Sequence, residues 1–261
     1  GQVAGERVSR GTCIEIATGA PLPEGADAVV MVEETEKGSL GEIRVLTPVY
    51  PRQHVGRRGA DIAAGQTLLS PGDLLTPSRV GALAAMGLIE VDVFARPRVA
   101  IVSTGNEIVD PGQPLGPGQL YDINQFTLSS IVAAHGGVPA VHPTVADNLN
   151  ALNASATSTG DADILVFSGG SSVGERDLVI DVIAGLGEVI FHGIAVKPGK
   201  PTTFGRIDRR LVFGMPGYAT SCLSNAYMLL VPLLRRIARL PEYQPHMVRL
   251  PLARRVVSTT G

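Results

Sequence analysis

Short, uninterrupted apolar runs alternate with helical patterns through the second part of this chain, from Arg98 onward. The runs lie at residues 99–102, 138–141, 164–167, 189–194 and 211–213. Such runs are typical of strands buried on both faces, and their alternation with helices is typical of βαβ units. The sequence therefore predicts an α/β fold with a central, mostly parallel sheet.

Composition narrows the class of protein further. Hydrophobic residues make up 44% of the 261 residues but aromatic residues only 4%, so the core must be mainly aliphatic. The formal charge of -2 gives no basic field for nucleic acid. Arg, Gly and Pro interrupt the apolar stretches and no signal peptide is recognised, so we expect a cytoplasmic protein that does not enter the membrane. Cys13 and Cys222 are too far apart in sequence for a metal motif.

Helices are indicated at three places. Apolar residues spaced three and four apart predict a helix over residues 125–135, which the glycines at 136 and 137 end. Thr76 and Pro77 predict the cap and first turn of another helix, which ends at Gly87. The last predicted helix covers residues 219–240 with a kink at Pro232. Its buried side is expected to carry Leu223, Ala226, Tyr227, Leu230, Leu234 and Ala238.

The chain before the α/β pattern is of a different character. Short apolar runs at residues 13–16, 28–32 and 43–46, with a turn at 37–39, predict a small β-rich domain over residues 1–54. Residues 55–96 predict a mixed linker subdomain, because they contain the helix that begins after Thr76. The α/β domain then occupies residues 97–243.

A loop rich in glycine and serine follows the apolar run at 164–167 and is expected at the carboxyl end of a strand. Glycine allows close approach of a ligand to the backbone, and a following helix aims its N-terminal amides at an anion. The candidate binding residues are Ser168, Gly169, Gly170, Ser172 and Gly174. An ordinary strand-to-helix connection has the same composition, so this alternative stays open.

Three carboxylates lie near the ends of predicted strands, where ligands bind in open α/β sheets. Glu107 follows the first strand, Asp122 precedes the first helix of the domain, and Asp177 follows the loop. Together they predict a Mg²⁺ site, because Mg²⁺ prefers carboxylate and phosphate oxygens. The alternatives are that Asp122 or Asn124 caps a helix, that Glu107 is solvated and that Asp177 stabilises a helix start.

Two further segments are expected at the same edge. Lys197-Pro198-Gly199-Lys200-Pro201 is a rigid turn whose two ammonium groups can meet one phosphate or oxyanion, unless it is simply a solvated basic turn. The second segment, residues 213–221, repeats the order of strand, glycine-containing turn and helix. Its candidate binding residues are Pro216, Gly217 and Ser221, although it can also be only the turn that starts the last helix.

A series of motifs in a fixed order makes the chain resemble a known family. They are the segments 11–14, 18–23, 25–31, 57–59 with 61–62, 103–105, 121–124, 168–170 with 172–174 and Asp177, and 197–201. With these motifs the chain resembles the molybdopterin molybdenumtransferases, the MoeA and gephyrin E-domain group. The resemblance covers nearly the whole chain and implies a molybdopterin-binding α/β domain, with residues 244–261 as the start of a truncated C-terminal β domain.

The resemblance also implies an activity and its residues. Molybdate would enter the dithiolene of adenylylated molybdopterin (molybdopterin-AMP), with Mg²⁺-dependent release of AMP. Glu107, Asp122 and Asp177 would place the metal or attacking water, while Lys197 and Lys200 would neutralise phosphate or molybdate. Family members form an elongated homodimer, in which the turn containing Thr18 would reach the partner subunit's site. Molybdopterin adenylyltransferase is an expected transient partner.

Two alternatives to this activity remain from the sequence. A related adenylyltransferase has the same central domain but a Thr-Gly-Gly-Thr-Gly loop and no segment like residues 11–94, and a non-catalytic scaffold can share every motif. No G-x-G-x-x-G follows the first strand, which disfavours a dehydrogenase. Asn106 stands where the family usually has Asp, and Tyr218-Ala219 where it usually has Asn-Pro, so the metal affinity and one ligand contact are expected to differ.

Overall fold

The computed structural model describes residues 5–169, 177–251 and 253–254. The chain divides into two compact units, residues 1–73 and 74–261. No helix among the described residues is long and apolar enough to cross a membrane.

The first unit contains one short hairpin. Strands β1 (Thr35–Lys37) and β2 (Ile43–Val45) pair antiparallel, with 3-10 turns at Val32–Glu34 and Ser39–Gly41. The strands predicted at residues 13–16 and 28–32 are wrong, because neither segment joins a ladder of backbone hydrogen bonds. Val29, for example, donates an isolated bond to the carbonyl oxygen of Gln53 at 3.0 Å. Apolar residues alone do not make a strand without a partner strand beside them.

The second unit begins near helix α1 (Pro77–Ala85), and the start and end predicted for this helix are confirmed. Thr76 Oγ1 accepts a hydrogen bond from the backbone N–H of Arg79 at 3.4 Å, and Pro77 is the first helical residue. Gly87, with φ of +78°, follows the C-cap. None of the residues of α1 is buried.

A six-stranded sheet forms the centre of this unit, with the strand order β6-β3-β7-β10-β9-β8. The strands are β3 (Arg98–Ser103), β6 (Val138–Val141), β7 (Ile164–Ser168), β8 (Glu188–His192), β9 (Thr203–Ile207) and β10 (Arg210–Met215). The first four in spatial order are parallel, and β9 and β8 run antiparallel to their neighbours. The predicted mostly parallel sheet is confirmed. Strands β4 (Ile108–Val109) and β5 (Leu120–Tyr121) form a separate small parallel pair.

Helices cover both faces of the central sheet. Successive strand residues point to opposite faces, so neighbouring residues pack against different helices. Val99 and Ile101 belong to one apolar cluster, and Ala100 and Val102 to the other. The helices of the first cluster are α2 (Asn124–Ala134), α5 (Ala219–Asn225) and α6 (Val231–Ile237), and those of the second are α3 (Leu149–Ser158) and α4 (Leu178–Leu186). The result is three layers, with the completely buried residues of β3 and β7 between two layers of helices.

The last predicted helix is confirmed over Ala219–Ile237, but it is not α-helical throughout. A π turn at Ala226–Leu230 separates α5 from α6, and Pro232 lies in the first turn of α6. Pro232 has no N–H to donate to the preceding turn, so the α-helical hydrogen bonds are interrupted there, next to the π turn. Leu223 and Tyr227, which were expected on the buried side, are each 39% exposed. Ala226, Leu230 and Leu234 are completely buried, as predicted. Cys222, Asn225 and Val231 are completely buried as well, although they were not predicted to be.

Candidate functional site

A cavity of about 780 Å³ lies at the carboxyl ends of the parallel strands in the second unit. We call it the site cavity. Its walls come from the residues that follow β3, β7 and β10, from the starts of α2 and α5, and from the loop between β8 and β9. This is the position at which open α/β sheets bind ligands, because helix starts and loops converge there.

Glycine backbones form part of the wall. Gly169 directly follows β7 with φ of +108°, and a Cβ atom there would overlap the carbonyl oxygen of Thr104 and lie 2.8 Å from Thr104 Oγ1. A Cβ atom on Gly217 would lie 3.4 Å from the Cα of Gly169. Thr104 therefore lies so close to Gly169 that only glycine fits there, and the loop containing Gly217 is in contact with the same residue.

Four buried side-chain oxygens in the wall have no hydrogen-bond partner among the residues that the structure describes. They are Ser103 Oγ, Thr104 Oγ1, Asp122 Oδ2 and Asn124 Oδ1. Their residues are 3% to 8% exposed. Buried polar groups in folded proteins are nearly always paired, so a concentration of unpaired oxygens in one cavity indicates a place where a ligand makes the missing bonds.

The start of α2 holds two of these oxygens in place. Asp122 Oδ1 accepts a hydrogen bond from the backbone N–H of Gln125 at 3.0 Å, so the expected capping role is present. Asn124 Nδ2 donates to the carbonyl oxygen of Gly217 at 2.8 Å, which joins α2 to the loop before α5. Each side chain thus uses one polar atom for structure, and its other oxygen has no partner among the described residues.

The three predicted metal ligands differ in whether they line the site cavity. Glu107 and Asp122 line the site cavity, whereas Asp177 is not among its lining residues. Asp177 Oδ1 caps α4 by accepting from the N–H groups of Val179 and Ile180, and Oδ2 lies 3.8 Å from His192 Nε2. Burial raises the pKa of the Asp177 carboxyl above its usual value. Among the described residues, no group of three or more His, Cys, Asp or Glu side chains could hold a metal ion.

Glu107 and Asp122 carry carboxylate oxygens of the kind that Mg²⁺ binds, together with phosphate and water oxygens. The Glu107 carboxylate folds over the backbone of Gly105, where a Cβ atom would lie 2.8 Å from both of its oxygens. Asp122 contributes the unpaired Oδ2 described above. The donor set is therefore hard oxygen, as Mg²⁺ requires, and is incomplete without a ligand.

The turn with the two lysines lies at the same edge of the sheet. Because β8 ends there and the antiparallel β9 begins there, the loop 193–202 connects them beside the site cavity. Gly199 and Pro201 line the cavity. Lys197 and Lys200 are exposed and are not lining residues. The peptide bond between Lys197 and Pro198 is cis.

The third predicted segment also reaches the cavity. Pro216, Gly217 and Ser221 all line it, as does Tyr218, which is 70% exposed. Cys222 lies behind this wall with its Sγ 4.0 Å from Ser168 Oγ, and burial raises its pKa to about 12. Its thiol is therefore uncharged at neutral pH and serves the packing of the wall.

The remaining candidate residues lie in the first unit, in the site cavity or outside the described residues. Thr18 lies in an exposed turn of the first unit, where the N–H of Ala20 donates to the carbonyl of Ala17. Gly170, Ser172 and Gly174 lie outside the described residues, while Ser168 and Gly169 line the cavity.

Sequence reasoning missed several lining residues as ligand-binding groups. Ser103 is the last residue of β3 and Thr104 follows it, so their position at the end of a buried strand was an available signal. Asp147 comes six residues after β6, too far for a strand-end rule to find. It is brought near by a parallel bridge between Thr104 and Val145.

The fold and cavity together define a class of protein. Residues 100–236 match the family profile described as a probable molybdopterin binding domain. Residues 1–87 match the profile of the MoeA N-terminal region, domains I and II. The chain belongs to the MoeA family.

Relatives with assigned names agree with this placement. The chain is 36% identical over 243 residues to molybdopterin molybdenumtransferase 2 of Mycobacterium tuberculosis, covering 90% of this chain and 60% of the relative. It is 35% identical over 238 residues to molybdopterin molybdenumtransferase of Haemophilus influenzae, covering 90% and 59%. The chain thus spans about three fifths of the length of these relatives.

Two solved structures of MoeA proteins are similar to this chain. The molybdopterin biosynthesis MoeA protein of Pyrococcus horikosii superimposes with a TM-score of 0.70 at 43% identity, covering 90% of this chain and 60% of that protein. A second MoeA structure, from Pyrococcus horikoshii OT3, has a TM-score of 0.68 at 28% identity, covering 92% and 59%.

Proposed function

We propose that this chain carries the substrate site of a molybdopterin molybdenumtransferase, which inserts molybdate into adenylylated molybdopterin in molybdenum cofactor biosynthesis. The observation that carries the proposal is the site cavity with its four unpaired buried oxygens, within a molybdopterin-binding domain. The match of residues 1–87 to the MoeA N-terminal region favours metal insertion over adenylyl transfer.

The proposed reaction has two parts that balance separately. Two Mo–S bonds form between molybdate and the dithiolene, and one molybdate oxygen leaves as water with the two thiol protons. Water also cleaves the phosphoanhydride, so that AMP leaves and the molybdopterin phosphate remains. Both parts bring anions together, and positioning with neutralisation of charge is therefore the main task of the protein.

The residues of the cavity would divide this task. Glu107 and Asp122 would hold a Mg²⁺ ion against the substrate phosphates, where the ion would neutralise charge on the leaving AMP. Lys197 and Lys200 would supply positive charge from the loop between β8 and β9. A third ligand role for Asp177 stays a prediction, because this side chain caps α4. Gly169 and Gly217 would allow the pterin or phosphate to lie against the backbone.

The wider setting is part of the same proposal and rests on the resemblance to the MoeA family. The protein would act in the cytoplasm as a homodimer, with Thr18 of one copy near the site of the other. It would receive molybdopterin-AMP from a molybdopterin adenylyltransferase. Residues 1–54, 55–96 and 97–243 would correspond to its β-rich, linker and molybdopterin-binding parts, and residues 244–261 to part of a C-terminal β domain.

A direct assay tests the activity. The purified protein is given molybdopterin-AMP, molybdate and Mg²⁺, and AMP release is followed together with transfer of the product to a molybdenum-free apoenzyme. We expect AMP release to require both molybdate and Mg²⁺. A parallel reaction with molybdopterin and ATP is the control. ATP consumption there, without molybdate-dependent AMP release, would identify an adenylyltransferase instead.

A further inference from the structure

A buried hydrogen-bond triangle ties the loop between β8 and β9 to helix α5. Asn225 Nδ2 donates to the carbonyl oxygen of Gly199 at 2.8 Å and to Thr202 Oγ1 at 2.6 Å. Thr202 Oγ1 in turn donates to the same carbonyl at 3.0 Å. Asn225 and Thr202 are completely buried. We call residues 197–201 the lysine turn.

The triangle uses its donors completely. The amide gives both of its protons, the hydroxyl gives its single proton, and the carbonyl oxygen accepts two bonds. The amide cannot be reversed, because its oxygen would then face the carbonyl oxygen of Gly199. Such a closed arrangement, shielded from water, fixes the relative position of its members more strongly than an exposed bond does.

The lysine turn is shaped to meet this amide. Gly199 has φ of +113°, and a Cβ atom there would lie 2.6 Å from Asn225 Nδ2. Asn225 therefore contacts the backbone of the turn directly, at the residue that precedes Lys200 and lies two after Lys197. A shift of this one backbone segment moves both ammonium groups together.

Asn225 connects two walls of the site cavity. Gly199 and Pro201 of the lysine turn line it on one side, and Tyr218 and Ser221, at and near the start of α5, line it on the other. Asn225 is the last residue of α5 and is not itself among the lining residues. It acts on a ligand only through the groups that it holds.

We propose that Asn225 is a positioning residue, which fixes the lysine turn so that Lys197 and Lys200 are presented to the phosphate or oxyanion of the substrate. This inference rests on the proposed function, since it assumes that the lysines meet an anion in the site cavity. It assigns a role to a residue that touches neither substrate nor metal. The driving force is preorganisation, because a turn held in place loses less conformational freedom when an anion binds.

The experiment measures the dissociation constant of inorganic pyrophosphate by calorimetry on the whole protein. We expect Lys200→Ala to weaken binding, and Asn225→Ala to weaken it by about tenfold, or about 1.4 kcal/mol. Thr202→Val keeps the shape of the side chain but breaks the triangle, and should weaken binding in the same direction. The double variant Lys200→Ala with Asn225→Ala should lose less binding free energy than the sum of the two single losses. The reason is that Asn225 acts on the anion through Lys200.

A matched control separates positioning from general destabilisation. Thr159 is also completely buried, and its hydroxyl donates to backbone carbonyls at the opposite edge of the sheet. Thr159→Val should lower thermal stability but leave pyrophosphate affinity unchanged. Unchanged affinity in folded Asn225→Ala or Thr202→Val, with Lys200→Ala impaired, overturns this inference alone. Unchanged affinity in Lys200→Ala and Lys197→Ala, or no pyrophosphate binding at all, overturns it together with the proposed role of the lysines.

Discussion

The two edges of the central sheet differ in whether their polar side chains find hydrogen-bond partners within the protein. At the amino edge, Asp163 Oδ2 accepts from the backbone N–H of Arg98 at 2.7 Å, and the Arg98 side chain lies 2.8 Å from Asp161. Arg210 there donates to the carbonyl of Ala156 at 2.7 Å. At the carboxyl edge, the four oxygens of the site cavity have no partner within the described ranges.

This difference separates stability from function. The amino edge is satisfied by the protein itself, so changes there should cost folding free energy and leave catalysis unchanged. The carboxyl edge holds unpaired polar groups and close backbone contacts that do not stabilise the folded state. Changes to these groups should therefore reduce binding or turnover more than they reduce stability, except where they create a steric clash.

The largest effect is expected for Gly169→Ala. The new Cβ would collide with Thr104 in a backbone conformation that favours glycine, which should cost about 3 kcal/mol of unfolding free energy and abolish ligand binding. Denaturant unfolding measures the cost. Gly185→Ala is the matched control, because a Cβ there meets nothing within 4 Å and should stabilise α4 by about 0.5 kcal/mol. Equal behaviour of the two variants would mean that the close approach at residue 169 is unimportant.

Asp122→Asn tests an unpaired oxygen without removing the cap of α2. The amide retains an oxygen for the N–H of Gln125 but loses the charge in the cavity. We expect AMP release to fall by about a hundredfold, or about 2.7 kcal/mol. The melting temperature should stay close to that of the parent protein. A variant that keeps full turnover would remove Asp122 from the proposed metal and substrate site.

Arg210→Ala probes the amino edge. It removes the bonds of the half-buried guanidinium to the Ala156 carbonyl and to Thr159 Oγ1 at 3.2 Å. The expected loss is about 1 to 2 kcal/mol of unfolding free energy, with kcat/KM unchanged. Chemical denaturation and the AMP assay measure the two quantities on the same preparation. A large fall in kcat/KM without a loss of stability would break the separation of the two edges.

The smallest effect concerns His135, just after α2, which makes edge-on contacts with the rings of Tyr227 and Tyr243. Burial first, and the charge of Arg235 second, lower the pKa of His135 below its ordinary value of 6.5. The folded protein therefore binds fewer protons, so stability should fall as pH drops below 6.5 and level off below the lowered pKa.

His135→Phe keeps an aromatic ring in this position but removes the titration. The difference in melting temperature between parent and variant should change between about pH 7 and pH 5, in favour of the variant at the lower pH. The ratio of their AMP-release rates should not change over this range. A melting difference that is constant with pH would show that His135 titrates equally in both states.

The sequence predicted the elements that depend on local pattern. The buried runs of β3 and β7 and the periodic residues of α2 are confirmed, because burial on both faces and helical spacing leave direct traces. Strand β9 was missed. It reads Thr-Phe-Gly-Arg-Ile, and its Gly205 is required because a Cβ there would lie 2.5 Å from the carbonyl oxygen of Glu188.

Sequence patterns did not predict contacts between residues that are distant in the chain. Asn225 and Gly199 are 26 residues apart, and neither residue type indicates that they pair. The π turn at Ala226–Leu230 was not predicted, because a regular α-helix was assumed there, and Leu223 and Tyr227 are partly exposed rather than buried. Whether an oxygen such as Asn124 Oδ1 is paired depends on every neighbour in the fold, so only the structure reveals it.

The antiparallel pairing of β8 with β9 has a consequence for how such sites can diversify. The residues that join these strands form the loop of a hairpin, and the parallel strands do not depend on the length of that loop. The lysine turn can therefore be lengthened, shortened or exchanged while the opposite side of the cavity is preserved. We expect a chimaera that exchanges residues 193–198 and 200–201, and keeps Gly199 and Thr202 as the partners of Asn225, to alter which anion binds and to leave recognition of the rest of the ligand intact.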